Sequence, residues 1–251
     1  MVPIHRVALV TDFGPGGPYV GQMRLRLAEL APGVPVVELV SDLTPFRPDL
    51  AAYLLPALVR DMPPGTLYLC VVDPGVGGDR LALTLAAGGN CFVGPDNGLL
   101  ALVARRAAAP QVRRVDWRPP RLSESFHGRD LVAPVAAMLA NGRQPESVGV
   151  DRAGMTGSDW PDDLPRVLYA DPYGNLMTGV RASGLPRHGR IQAGAQALGF
   201  ARTFCEVPAG RAFWYENAFG LVELAVNQGR ADRVLGLAPG DPIAIDPNGR
   251  G

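Results

Sequence analysis

The stretch Thr66–Val72 (TLYLCVV) most constrains what this chain can fold into. It is apolar throughout, without the alternation of a strand that shows one face to water. Such a run predicts a central parallel strand covered on both faces. It ends in Asp73-Pro74-Gly75-Val76-Gly77-Gly78-Asp79-Arg80, a polar, glycine-rich loop.

The surrounding segments repeat that logic. Arg6–Thr11 (RVALVT) predicts a buried strand that ends in Asp12-Phe13-Gly14. Tyr19–Leu30 has apolar residues at helical spacing and is stopped by Pro32-Gly33. Val34–Val40 predicts a second strand and Leu50–Arg60 a helix that Pro56 should kink or break. Ala82–Ala86 and Cys91–Val93 predict strands; Gly98–Arg106 and Leu131–Ala140 predict helices. The alternation predicts an α/β fold, with a Rossmann-like, mostly parallel sheet over residues 1–155. Ligands of such sheets sit beyond the carboxyl ends of the strands. Three loops qualify: Asp12–Gly14, Asp73–Gly77 and Pro95–Gly98.

Asn141–Pro165 is rich in Gly, Pro and Asp and predicts a linker. Beyond it, Arg166–Tyr169, Leu176–Val180, Ala212–Tyr215, Leu221–Ala225 and Pro242–Ile245 are short strand-like runs separated by turn residues. Residues 156–251 therefore predict a small antiparallel β-barrel domain.

Charge excludes some classes. Lys+Arg and Asp+Glu balance at 24 each, so the chain lacks the basic excess of a nucleic-acid binder. No apolar run reaches the roughly 20 residues that span a bilayer, and the N-terminal segment lacks the apolar core of a signal peptide. Cys70, Cys91 and Cys205 fit no zinc spacing and read as free thiols, so no metal is expected and the cytoplasm is the expected compartment.

Four segments carry candidate chemistry. Asp12 at a strand end is placed to accept both hydroxyls of a ribose, or simply to cap the following turn. Asp73 and Arg80 lie across a tight turn where a carboxylate and a guanidinium could pair, either as a site or as an ordinary surface ion pair. His127, in Ser125-Phe126-His127-Gly128-Arg129-Asp130, sits in a polar loop before a helix, as a proton-handling or a structural histidine. Asp171-Pro172-Tyr173-Gly174-Asn175 offers a carboxylate, an aromatic ring and an amide, or forms a β-turn. Asp12-Phe13-Gly14 and His127–Asp130 echo two protein-kinase motifs, but in reversed order, and the chain contains no lysine at all.

In order, TDFG with YVGQM, PPGTLYLCVVDPGVGGDR, FVGPDNGLL, FHGRDLVAPVAA, DPYGNLMT and NAFGLVELAVNQGRA with GDPI resemble the S-adenosylmethionine hydrolases (SAM hydroxide adenosyltransferases), relatives of the fluorinases and chlorinases. The resemblance spans Thr11 to about Asp241. It implies hydrolysis of S-adenosyl-L-methionine to adenosine and L-methionine without cofactor or metal. It also implies a homotrimer whose active sites lie between neighbouring subunits. By position, Asp73, Arg80 and His127 match the water-activating set and Asp12 the ribose-binding carboxylate. Asp171 and Asn175 match residues that hold the methionine moiety, and Phe46, Tyr173 and Phe204 fall where aromatics flank the substrate. The halogenating relatives carry Tyr in place of Asp73 and lack His127. The alternatives are a halide-dependent synthase of 5′-halo-5′-deoxyadenosine and a non-catalytic binder of S-adenosylmethionine or adenosine. The chain departs from the family at Ser41, where many relatives have His, and at Ala218 and Phe219, where Ser and a polar residue are expected.

Overall fold

A computed structural model describes residues 2–249, which form two compact units. One comprises residues 2–56 with 62–160, the other residues 57–61 with 161–249.

The first unit is built on strands β1 (Arg6–Thr11), β2 (Val36–Val40), β3 (Thr66–Val71), β4 (Ala82–Ala87), β5 (Asn90–Pro95), β6 (Gln111–Val115) and β7 (Ser147–Val150). They form one sheet in the order β2-β1-β3-β5-β4-β6-β7. The pairs β1/β2, β1/β3 and β3/β5 are parallel; β4/β5, β4/β6 and β6/β7 are antiparallel. All six residues of β3 are buried, as its unbroken apolar run requires of a strand covered on both faces. Helices α1 (Pro18–Leu30) and α4 (Ala133–Ala140) supply Val20, Met23, Leu27, Val135 and Leu139 to a core shared with Val7, Leu9, Leu67 and Leu69. The chain leaves β1 for β2 on one side and returns to β3 on the other. Asp12 and Asp73 thus emerge side by side at the switch point, beyond the paired residues Thr11 and Val71.

Several expectations are corrected. Helix α2 (Pro48–Val59) runs through Pro56. The proline falls in the last turn, and burial of Leu50, Leu54 and Leu55 outweighs one missing N–H. Asn141–Pro165 is not a bare linker: β7 lies within it as a half-exposed edge strand whose Ser-Val-Gly-Val sequence has no apolar run to announce it. Trp160 closes this unit, its ring stacked on Tyr53 at 6.4 Å and packed over Gly98 and Gly157. Helix α3 (Ala101–Arg106) begins later than Gly98, and a π-helical turn, Gly128–Val132, precedes α4.

The second unit is antiparallel. Strands β8 (Leu164–Ala170), β9 (Leu176–Arg181), β12 (Ala212–Glu216) and β13 (Leu221–Val226) form a sheet in the order β12-β13-β9-β8. Strands β10 (Arg190–Ala193), β11 (Gln196–Leu198) and β14 (Ala244–Asp246) form a second, β11-β10-β14. Trp214, Ile191, Leu224 and Val167 fill the core shared by the two sheets, with Leu235 of the short helix α5 (Ala231–Leu235). Where a barrel was expected, these described residues form two separate antiparallel sheets, neither closed on itself. Among the described residues no helix is long and apolar enough to cross a membrane.

Candidate active site

Asp73 lies two residues beyond the end of β3, after Val72, and its side chain is only 8 % exposed. A buried carboxylate needs a partner, and Arg80 provides it across the glycine-rich loop, its side chain 15 % exposed. Nη2 of Arg80 donates to Oδ2 of Asp73, and Nη1 donates to the carbonyl of Gly75. The spacing expected to bring these side chains together does so because the loop folds back on itself, with Gly78 N–H donating to Gly75 O at 3.1 Å. Gly77 has φ +85°, and a Cβ there would lie 2.6 Å from the carbonyl of Glu124, so only glycine lets the loop lie this close to the segment leading to His127. Oδ1 of Asp73 and Nε of Arg80 are buried without a hydrogen-bond partner.

A cavity of about 320 Å³ opens beside this pair, lined by Asp12, Phe13, Tyr19, Phe46, Asp73 and His127 among others. His127 immediately precedes the π-helical turn. Burial is the main cause that holds its imidazole below the usual histidine pKa, and the Arg80 guanidinium adds to it; the Asp73 carboxylate opposes them. Its loop is tied down by Asp130, which accepts from Ser123 N–H at 3.0 Å and pairs with Arg129. Asp12 is pushed up by burial first, against the N–H of Phe46 that stabilises its charged form. The sequence-predicted residues Asp12, Phe46, Asp73 and His127 therefore share one cavity, with Arg80 behind it.

The aromatic wall was not foreseen. Phe13, Tyr19 and Phe126 form a triangle of rings with centroids 5.3 to 5.9 Å apart. The only signal was their position beside Asp12 and His127. Of the three loops at strand ends, Pro95–Gly98 has a supporting part: Asn97 Nδ2 donates to Val72 O at 2.9 Å, bracing the residue before Asp73.

Asp171, Tyr173, Asn175 and Phe204 belong to the second unit. Asp171–Asn175 is the β8–β9 turn: Gly174 (φ +85°) donates to Asp171 O at 2.9 Å. The Asp171 carboxylate accepts from Asn175 N–H at 2.8 Å and from Asn175 Nδ2 at 2.9 Å, so the turn reading is realised and the two candidate side chains hold each other. Tyr173 projects from the turn, 78 % exposed. Phe204 packs edge-on against Phe213 at 5.2 Å and Tyr215 at 5.5 Å. Among the described residues no three His, Cys, Asp or Glu side chains form a group that could hold a metal ion.

Comparison with known proteins brings both units under one description. The family model for the SAM hydroxide adenosyltransferase N-terminal domain matches residues 7–149, and that for the C-terminal domain matches residues 165–244. The (R)-S-adenosyl-L-methionine hydrolase of Thermus thermophilus is 38% identical over 256 residues, covering 95% of this chain and 98% of the relative. The protein of the same description from Salinispora arenicola is 36% identical over 255 residues, covering 95% and 97%. A crystal structure described as an uncharacterized conserved protein from Thermotoga maritima superposes with a TM-score of 0.85 at 29% identity, covering 96% of this chain and 99% of that one.

Proposed function

We propose that this chain, which belongs to the SAM hydroxide adenosyltransferase family, hydrolyses S-adenosyl-L-methionine to adenosine and L-methionine. The observation that carries the reading is that Asp73, paired with Arg80, lines the same cavity as His127. An enzyme that splits a sulfonium needs no acid for its leaving group, because the thioether departs neutral. Its difficulty is the nucleophile, since water is weak and hydroxide scarce at neutral pH.

Asp73 supplies an acceptor, Oδ1, that no protein group occupies. Arg80 pairs with Asp73 and stabilises negative charge on the attacking oxygen. His127, kept neutral by burial and by Arg80, takes the proton that water loses. The oxygen lone pair forms the bond to C5′, the C5′–S bond electrons return to sulfur, and the proton leaves through His127. Asp12 receives the ribose hydroxyls and the Phe46 ring covers the nucleoside. Asp171 and Asn175 take the methionine moiety, with Tyr173 and Phe204 flanking it. A carboxylate at the position of Asp73 repels halide, which favours water over chloride or fluoride as nucleophile.

This reading extends to a homotrimer in which Asp171 and Asn175 of a neighbouring copy complete each site, and to action without metal or cofactor. The second unit is read as a barrel. Its sheets are bridged at Arg166–Pro242 and at Phe200–Trp214, which support closure.

The test is to incubate the pure protein with S-adenosyl-L-methionine, with and without chloride or fluoride, and separate the products. Adenosine and methionine without halide are expected. A halogenated nucleoside, or binding without turnover, overturns the reading.

A further inference from the structure

Glu223 is a carboxylate buried to 2 % exposure, and the chemistry above does not use it. It lies in the middle of β13, opposite Tyr215 of β12 and Met177 of β9. A carboxyl in such a place is tolerated only if its oxygens are satisfied. Tyr215 Oη donates to Oε1 and Asn217 Nδ2 donates to Oε2, both at 2.6 Å. Burial pushes the carboxyl pKa up, with Asp171 adding to it, while the two donors pull it down. Burial and Glu223 also raise the Tyr215 hydroxyl, which therefore remains a donor.

The two bonds lead to different surfaces. Asn217 also uses its Oδ1, which accepts from Phe219 N–H and Leu221 N–H at 3.0 Å each. An amide can sit either way round; the Glu223 oxygen on one side and two backbone N–H groups on the other select the orientation that turns Oδ1 towards the backbone. Glu223 thereby sets the shape of the turn Asn217–Leu221, closed by Gly220 N–H to Asn217 O at 2.9 Å. This turn carries Ala218 and Phe219, the positions where the family pattern expects Ser and a polar residue. With Ala218 and Phe219 at these positions, the polar groups this turn can offer a ligand are those of its backbone. The other bond fixes Tyr215, whose ring packs on Phe204.

We propose that Glu223 is a positioning residue that holds the Asn217–Leu221 turn and the Phe204 ring in the shape that receives the substrate, without touching the substrate itself. The proposal rests on the hydrolase reading.

The test is steady-state kinetics on the full chain for the unaltered protein, Glu223→Leu, Glu223→Gln and Asn217→Ala, with thermal unfolding alongside. Leu keeps the bulk and loses both bonds. Gln keeps an acceptor for Asn217 and can donate to the Tyr215 hydroxyl. Glu223→Leu and Asn217→Ala are expected to raise KM about tenfold with little change in kcat, because the turn and the ring lose the shape that binds substrate. Glu223→Gln is expected to rescue most of that loss. An unchanged KM in a folded Glu223→Leu, with only the unfolding midpoint or kcat lowered, overturns the proposal. If Glu223→Leu does not fold, an unchanged KM in Asn217→Ala overturns it instead. Absence of turnover in the unaltered protein overturns the hydrolase reading, and the proposal with it. Turnover there, with KM indifferent to these changes, overturns the proposal alone.

Discussion

The backbone N–H of Phe46 donates to Oδ2 of Asp12 at 3.0 Å. Phe46 has φ +63° and its side chain is 73 % exposed, an apolar residue in a conformation suited to glycine. It is the third residue of a turn opened by Thr44-Pro45 and closed by Arg47 N–H to Thr44 O at 3.4 Å. Such turns favour glycine at this place. Placing a large ring there is strain retained where a ligand is expected, and the Asp12 carboxylate holds the turn in position.

Phe46→Gly and Phe46→Ala separate strain from contact. Both remove the ring and should weaken substrate binding by about 1–3 kcal/mol, the usual scale for a base stacked on an aromatic side chain. Only glycine relieves the backbone, so Phe46→Gly should be the more stable variant by about 1 kcal/mol. KM and denaturant midpoints read the two effects apart.

Arg80→Met leaves the Asp73 carboxylate buried beside an apolar side chain. Breaking a buried pair from one side costs about 3–5 kcal/mol. Asp73→Asn combined with Arg80→Met should recover much of that stability while activity stays lost. Equal stability of the single and double variants in urea would contradict the pairing.

Gly77→Ala should lower kcat at least tenfold while leaving the protein folded. An alanine at φ +85° is strained, and its Cβ would press on the Glu124 carbonyl, so the loop must move and carry Arg80 with it. Circular dichroism with single-turnover rates checks the outcome.

His127 makes activity and stability depend on pH in a defined direction. Its folded-state pKa lies below the ordinary value of about 6.5, so the native state binds fewer protons there than the unfolded chain. Stability due to this group should be fully present above about pH 6.5 and decline below it, as the unfolded chain takes up its proton. The proton-accepting form survives to lower pH than in a free histidine, so kcat/KM should hold through pH 6.5 and fall only beyond it. In His127→Asn that acidic limb should disappear from the pH–rate profile.

Much of the first unit was legible because burial on both faces leaves a mark on the sequence. The unbroken apolar runs of β1 and β3 located their strands, and the polar residues ending them located Asp12 and Asp73. Strands β6 and β7 left no such mark, since Arg113 and Arg114 and the half-exposed Ser147–Val150 resemble loop sequence. Pro56 misled because a local rule was applied to a helix whose burial is decided by the rest of the fold.

The sequence by itself determined which residues could do chemistry, and the seven-residue interval between Asp73 and Arg80 already allowed them to meet. The ordered motifs along the chain already mark the family. Tertiary structure alone decided that Asp12, Asp73 and His127 open on one cavity, because strand order, not spacing along the chain, puts β1 beside β3. It alone decided that Phe46 would occupy a glycine's conformation and bond to Asp12. It also decided that Glu223, one letter within an apolar strand, would have its oxygens satisfied by Tyr215 and Asn217. Apolar periodicity reports how much of a residue is hidden. Which groups satisfy a hidden polar atom depends on contacts that form only when distant segments pack.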